Sequence, residues 1–441
     1  MNKFYGKIEL LGKEYSYSVI GYEMIIIDSK EDILRTHKID QITNRWLETK
    51  INEGTKLIVK LSYKYAKENA LIMNIIAFFS VVDVSSLFAG FNRYKVPERK
   101  DEIHKITYVS DVLDYFFRPK GYEGFVSNLI KSFHDDAKLK KGNFKHYSFN
   151  YNNKNFVMYF DILNEYKLDN RFVFDIHSLL IIECEENIEL DEVYKISVYV
   201  KTFLALVSNK RKVYFDEIKI NHHYGGNEYK PGYFYLNQGK KENANYWHTL
   251  EYNDVEDNIQ EIMDKIIEND VLFILLFQYD TNYIKTIDII NICAAFECQF
   301  KATYPEFKCQ YRKIYPEFKC RFFKTCARLN KNKVSLRQKI EYALADFEKF
   351  YEQTQTSDRL FKIEYDFKKD YREMPSRIVY ARNMLAHGDK KTDNKNFQIN
   401  DDVLTDTILL RAIIYFMIFK SIDMNQKNIM KCIRKFTRFH I

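Results

Sequence analysis

The chain is predicted to be an α+β protein, with a β-rich, sandwich-like N-terminal region over residues 1–270 and an all-α region over residues 271–441. Three observations carry this. Short apolar stretches in the first half alternate with polar residues at every second position and are separated by turn residues, the pattern of half-buried strands. From Val255 the apolar spacing changes to three and four residues, the pattern of amphipathic helices. The charge also divides: residues 271–441 hold 31 Lys+Arg against 20 Asp+Glu, a net +11, while the rest of the chain carries −4. At 441 residues and 46% hydrophobic composition, both regions can bury cores.

Taken in order, Phe4 to Leu10 and Glu14 to Ile20 form two strands around the Gly12-Lys13 turn, and Glu23 to Ile27 a third. Lys56 to Tyr63 continues the strand pattern. Leu71 to Val82 is apolar throughout and fits either a buried strand or a buried helix. Ser110 stands where an N-cap would start a short helix over Asp111 to Phe116. Phe144 to Tyr151 and Phe156 to Ile162 flank Asn152-Asn153-Lys154, the clearest hairpin in the chain. Ser178 to Cys184 and Lys212 to Asn221 are strands, with a helix over Asp191 to Ser208 between them. His222 and His223 are adjacent on a strand end, so their side chains diverge and make a poor joint metal site.

Several classes of protein are set aside by composition. The start, MNKFYGKIELLG, alternates as a strand does and lacks the charged-then-apolar order of a signal peptide. The run from Ala70 to Val82 is broken by Asn74 and falls well short of the roughly 20 apolar residues a membrane span requires. Seven cysteines form no CxxC pair and are odd in number, as expected of reduced thiols in a cytoplasmic protein.

In the second half, helices are predicted over Asn258 to Phe277, Tyr283 to Phe300, Ser335 to Tyr351, Asp402 to Ile422 and Met424 to Phe439. Tyr304-Pro305-Glu306-Phe307-Lys308-Cys309 recurs eleven residues later as Tyr315-Pro316-Glu317-Phe318-Lys319-Cys320, a tandem insertion. Residues 301–340 carry twelve Lys+Arg against two Glu, interleaved with aromatics. Cations attract phosphates and aromatic faces stack unpaired bases, so Lys308, Arg312, Lys313, Lys319, Arg321 and Lys324 are candidate RNA contacts. The same composition fits a basic insertion whose aromatics pack on the helices.

The stretch from Arg377 to Lys391, RIVYARNMLAHGDKK, concentrates chemistry. Ile378, Val379, Met384 and Leu385 give it a helical apolar stripe, and Gly388 is a C-terminal stop. Arg382 and His387 therefore lie in the last turns of a helix. Arginine can grip two phosphate oxygens, an imidazole titrates near neutrality, and a helix C-terminus favours its charged form. Asn383, four residues before His387, shares its helix face and can orient the imidazole or bond RNA. Arg382 and His387 are about 140° apart on an ideal helix, so they converge only at a helix end or by the arginine wrapping round. A structural alternative is a C-cap in which Asn383 and His387 bond the last carbonyls.

Arg382-Asn383-Met384-Leu385-Ala386-His387 resembles the R-x4-H signature of the HEPN superfamily of small helical ribonucleases, and the continuation into Gly388 resembles its ApeA-type anti-phage branch. The resemblance implies a bundle of four to five helices and metal-independent RNA cleavage, tRNA included among candidate substrates. It implies catalytic roles for Arg382, His387 and Asn383. It also places Glu297, in the apolar setting AAFECQF, at the acidic position of the first helix, where the alternative is a surface glutamate. No metal or other cofactor is implied, and products would carry a 2′,3′-cyclic phosphate and a 5′-hydroxyl. Two motifs would meet across a homodimer formed by the helical region. An abortive-infection or toxin-type effector follows, its N-terminal region sensing a phage-derived trigger or restraining the nuclease. A rival reading is a non-catalytic RNA- or nucleotide-binding module. A weaker one makes the β-rich region a carbohydrate or protein binder.

Overall fold

A computed structural model describes residues 3–27, 39–51, 56–67, 70–81, 103–117, 145–169, 171–210, 213–224, 227–238, 241, 249–268, 286–307, 334–353, 373–387 and 401–437. The chain divides into two compact units. One comprises Met1–Asp114, Pro119–Val198 and Val213–Asn243, the other Tyr115–Arg118, Tyr199–Lys212 and Ala244–Ile441. The boundary expected at residues 270 and 271 lies outside the described residues.

In the first unit the elements run Lys3–Leu10 (β1), Lys13–Ile20 (β2), Glu23–Ile27 (β3), Ile39–Ile42 (α1), Trp46–Ile51 (β4), Lys56–Lys67 (β5), Ala70–Val81 (β6), Ile103–Val109 (β7) and Asp111–Phe116 (α2). They continue with Tyr147–Tyr151 (β8), Lys154–Asp169 (β9), Arg171–Cys184 (β10), Leu190–Ser208 (α3), Glu217–Tyr224 (β11) and Asn227–Leu236 (β12), with the end of α2 from Tyr115 and of α3 from Tyr199 counted in the second unit. The α+β class holds, but the strands do not form the expected sandwich-like pair. They make one antiparallel sheet in the order β3-β2-β1-β4-β5-β6-β12-β11-β7-β10-β9-β8, with β3 also paired to β6.

The physical reason is β6. Its twelve residues pair with β5 along one edge, while the other edge takes β3 at Ala70 to Asn74 and β12 at Ala77 to Val81. The first six strands thus close into a ring, and the sheet continues from the far half of β6. Ile8 and Leu10, Tyr15, Tyr17 and Val19, Met24 and Ile26, Val59 and Leu61, and Leu71, Met73 and Ile75 fill the interior with a period of two on each strand. The Tyr17 hydroxyl meets Thr49 Oγ1 at 2.8 Å, satisfying both buried polar groups, and burial raises the phenol's pKa. Closing the ring also removes two sheet edges.

Beyond the ring, the first turns of α3 cover one face of the sheet. Ile106, Tyr108, Leu180, Ile182, Val193 and Ile196 are fully buried, and Tyr108 Oη lies 3.0 Å from Ser197 Oγ. The β8–β9 hairpin turns through Asn152 and Asn153 at φ 51° and 63°, left-handed values that asparagine tolerates better than most residues. The Glu192 carboxylate secures this turn: it accepts from Lys154 Nζ at 2.6 Å, from Asn152 Nδ2 at 3.3 Å and from the Glu189 amide at 2.9 Å. The last of these bonds satisfies an otherwise orphaned donor at the start of α3.

The second unit is helical: Tyr252–Val255 (α4), a 3-10 turn at Glu256–Asn258, Ile259–Ile267 (α5), Thr286–Thr303 (α6), Leu336–Gln353 (α7), Met374–His387 (α8), Asp401–Ser421 (α9) and Gln426–Thr437 (α10). Helix α9 is central. Its residues from Ala412 to Phe419 are at most 1% exposed, because α6, α7, α8 and α10 all pack on it. Asn209, left-handed at φ 52° just after α3, ties three helices together: its Oδ1 accepts from Tyr415 Oη and from the Arg411 guanidinium, and its Nδ2 donates to the Phe436 carbonyl. None of the described helices is long and apolar enough to cross a membrane.

Candidate functional site

Helix α8 carries the motif. Pro375 stands in its first turn, where the missing N–H costs nothing. Met374, Ile378 and Ala381 are fully buried, and Leu385 packs partly buried against Ile289, Ala381 and Val403. The seam is therefore 374, 378, 381 and 385. Val379 and Met384, which the sequence places in the stripe, are only half-buried; Met374 and the small Ala381 take their place.

Arg377 anchors this helix to α9. Its Nε donates to Asp406 Oδ2 at 2.6 Å and its Nη2 to Asp406 Oδ1 at 2.7 Å, a two-pronged pair on a carboxylate only 1% exposed. The pairing raises the guanidinium's pKa. Asp406 is an acid within a largely apolar helix, and a buried acid there needs a cationic partner. That requirement is the one trace of this pair in the sequence.

Arg382 and Asn383 lie off this buried seam, and both are half-buried. Arg382 Nη1 donates to Asn383 Oδ1 at 3.0 Å, and the guanidinium forms no ion pair among the described residues. Helix α8 extends to His387, but the His387 side chain and Gly388 lie outside the described residues, so the meeting of imidazole and guanidinium does too.

Glu297 lies on α6, which packs against α8. Its side chain is 37% exposed, and its Oε1 accepts from Lys339 Nζ on α7 at 2.7 Å. Cys293, one turn earlier on α6, is buried. Burial pushes its thiol up to about 12, with Arg382 pulling it down and Glu297 pushing it further up. Lys339 does not stand out in the sequence, because a lysine on an amphipathic helix reads as a solvated surface group.

The six proposed RNA contacts, Lys308, Arg312, Lys313, Lys319, Arg321 and Lys324, lie outside the described residues. The described start of that segment packs on the helices. Phe307 is 4% exposed, with its ring 4.6 Å from Tyr342 and 4.9 Å from Phe300, and Tyr304 donates its hydroxyl to Asp346. Cys184, Cys293, Cys298 and Cys432 are free thiols.

Fold and site together define a mixed α+β protein whose helical unit presents an arginine–amide pair near the end of α8 and an ion-paired acid on α6. Residues 290–428 match the family model described as Apea-like HEPN, which supports an ApeA-like HEPN domain over that part of the chain. The match takes in Glu297, Lys339 and the Arg382–His387 stretch and covers less than half of the chain. No curated protein and no solved structure matches the chain. HEPN domains are usually ribonucleases and commonly dimerise, so the match supports, at that level, a ribonuclease or anti-phage role with RNA as substrate.

Proposed function

We propose that the protein is a metal-independent endoribonuclease whose chemistry rests on Arg382 and His387 at the end of α8. The supporting observation is the state of Arg382. Within the region that matches the family, its guanidinium is held by a neutral amide and by no described carboxylate, which leaves its charge available to a phosphate.

In this reading an imidazole of His387 removes the proton from an RNA 2′-hydroxyl, and the resulting oxygen attacks the adjacent phosphorus. The P–O5′ bond breaks and the leaving oxygen takes a proton, from a second imidazole if two copies share the cleft. The products are a 2′,3′-cyclic phosphate and a 5′-hydroxyl. Arg382 stabilises the charge that builds on the phosphoryl oxygens and Asn383 fixes the guanidinium's direction; Glu297 belongs to the proposal as the acid of α6, held in its ion pair with Lys339. The β-rich unit senses a phage-derived trigger or restrains the nuclease, and the whole acts as a cytoplasmic abortive-infection or toxin-type effector, with tRNA among the candidate substrates.

The test is incubation of the full chain with bulk RNA in EDTA. Cleavage that disappears in Arg382→Ala supports the proposal; RNA retention without cleavage, in the presence of phage lysate as well, favours the binding-only module. Lys308, Arg312, Lys313, Lys319, Arg321 and Lys324 belong to the same proposal as cations that neutralise the RNA backbone. Removing a cation that neutralises one phosphate lowers the slope of log affinity against log salt by ~0.7 for a single strand, so replacing all six by alanine should flatten it by up to ~4. An unchanged slope in a binding titration removes them from the site.

A further inference from the structure

Tyr304 to Phe307, the described part of the first Tyr-Pro-Glu-Phe-Lys-Cys copy, make a turn whose shape is set by their own sequence. The Tyr304 carbonyl accepts from the Phe307 amide at 3.1 Å, and Pro305 stands second in the turn, where its preset φ suits the bend. Both rings are seated on the helices that flank the turn. Tyr342 of α7 meets each edge to face, with centroids 5.1 Å from Tyr304 and 4.6 Å from Phe307, and Phe300 of α6 lies 5.0 and 4.9 Å from the same two rings. The Tyr304 hydroxyl donates to Asp346 of α7, which also accepts from Lys420 of α9, and the Lys420 ammonium lies 5.7 Å from the Tyr304 ring centroid. Phe300, Tyr342, Asp346 and Lys420 all lie outside both copies of the repeat, and Tyr315, Pro316, Glu317 and Phe318 present the same four residues in the same order. We infer that this site on α6, α7 and α9 accepts the second copy, Tyr315 to Phe318, in place of the first, so that one chain has two registers eleven residues apart. The inference does not depend on the nuclease reading.

Chain length permits the exchange. With the second copy in the site, residues 304–314 close an eleven-residue loop after Thr303, and the seventeen residues 319–335 lead on to Leu336, the start of α7. Six helical residues separate Leu336 from Tyr342, about 9 Å, whereas that connection reaches roughly 55 Å when extended. The first register closes one loop, residues 308–335, and the second closes two, so loop entropy favours the first, the register seen in the structure. A second copy on the same chain meets the site at the high effective concentration of a short tether, which another molecule's copy does not. Exchange also resets the basic segment: Lys319 follows the docked phenylalanine in place of Lys308, and Arg312 and Lys313 enter the eleven-residue loop.

The experiment is the melting temperature of the full chain, followed by far-UV circular dichroism, in a set of variants. Tyr315→Ala with Phe318→Ala should melt as wild type, because the first copy fills the site. Adding Tyr304→Ala and Phe307→Ala to that pair should lower the melting temperature by about 10 °C or more, since two packed aromatic side chains are lost with nothing to replace them. Tyr304→Ala with Phe307→Ala alone should fall by less than half of that, because the second copy moves in. Deleting residues 304–314, which joins Thr303 directly to Tyr315, should leave the melting temperature within about 3 °C of wild type. Equal losses in the first-copy pair and the fourfold variant would overturn the inference, and so would a loss in the second-copy pair that simply adds to that of the first. A fourfold variant that melts as wild type would also overturn it, since the site would then hold neither copy to any effect. A first-copy pair whose melting temperature rises with protein concentration would place the second copy in another molecule's site, against an exchange within one chain. Where the fourfold variant fails to fold, the deletion decides: a shortened chain melting about 10 °C or more below wild type sinks the inference.

Discussion

Replacement of His387 by alanine is expected to lower the rate of RNA cleavage by about 10²–10⁴-fold, the range for loss of a positioned general acid or base. The physical grounds are narrow. Metal-free cleavage needs a group that can both take and give a proton near neutral pH, and among side chains an unperturbed imidazole is the one that does so. A guanidinium does not give up its proton in that range and cannot serve, and the carboxylate of Glu297 is engaged by Lys339. Arg382→Lys keeps the charge but loses the two-pronged grip on phosphate, so its loss should fall between wild type and Arg382→Ala. Initial rates on bulk RNA, with far-UV circular dichroism to confirm folding, check both. Wild-type rates in His387→Ala would remove the residue from the chemistry.

Arg377→Met should cost the helical unit about 3–5 kcal/mol, the penalty for removing one partner of a buried ion pair. Asp406 is 1% exposed and sits in the helix on which the others pack, so its carboxylate loses two short hydrogen bonds at a place water hardly reaches. The contrast is Glu373, which approaches Arg377 at 3.8 Å while 79% exposed. Glu373→Ala should cost no more than about 0.5 kcal/mol, as for other solvent-screened pairs. Pairing Arg377→Met with Asp406→Leu should recover most of the loss, since a buried pair is replaced by apolar volume. Urea unfolding of the four proteins distinguishes the outcomes; equal losses for Arg377→Met and Glu373→Ala would mean that the buried fork is not what holds α8.

Much of the fold was legible because local chemistry dictates it. The Asn152-Asn153 hairpin rests on two adjacent residues that accept left-handed backbone, and both adopt it. The helices of the second unit follow from their spacing. Strand β6 was ambiguous for a physical reason: it is central, its inward side chains fill the ring, and Ile72 on the other face is also only 4% exposed, so no polar alternation marks it. The closure of β3 onto β6 joins strands 43 to 51 residues apart, which periodicity does not encode.

At the candidate site, Arg382 and Asn383 could be placed from the sequence because they follow one helical turn. Glu297 could be marked as an acid in apolar surroundings. Its partner could not, since Lys339 lies 42 residues away and nothing local sets it apart from other lysines. Arg377 opens the motif stretch, but nothing in its surroundings there gave it a role. Its role follows from Asp406, 29 residues further on, and only the packing of α8 on α9 brings the two together.

The most direct measurement of the central proposal is the chemistry of the ends left on RNA cut by the full-length protein in EDTA, with His387→Ala as control. Fragments ending in a 2′,3′-cyclic phosphate and beginning with a 5′-hydroxyl, made by wild type and not by the variant, are the expected result. Fragments with 3′-hydroxyl and 5′-phosphate ends, or cyclic-phosphate ends formed equally by both proteins, would contradict it.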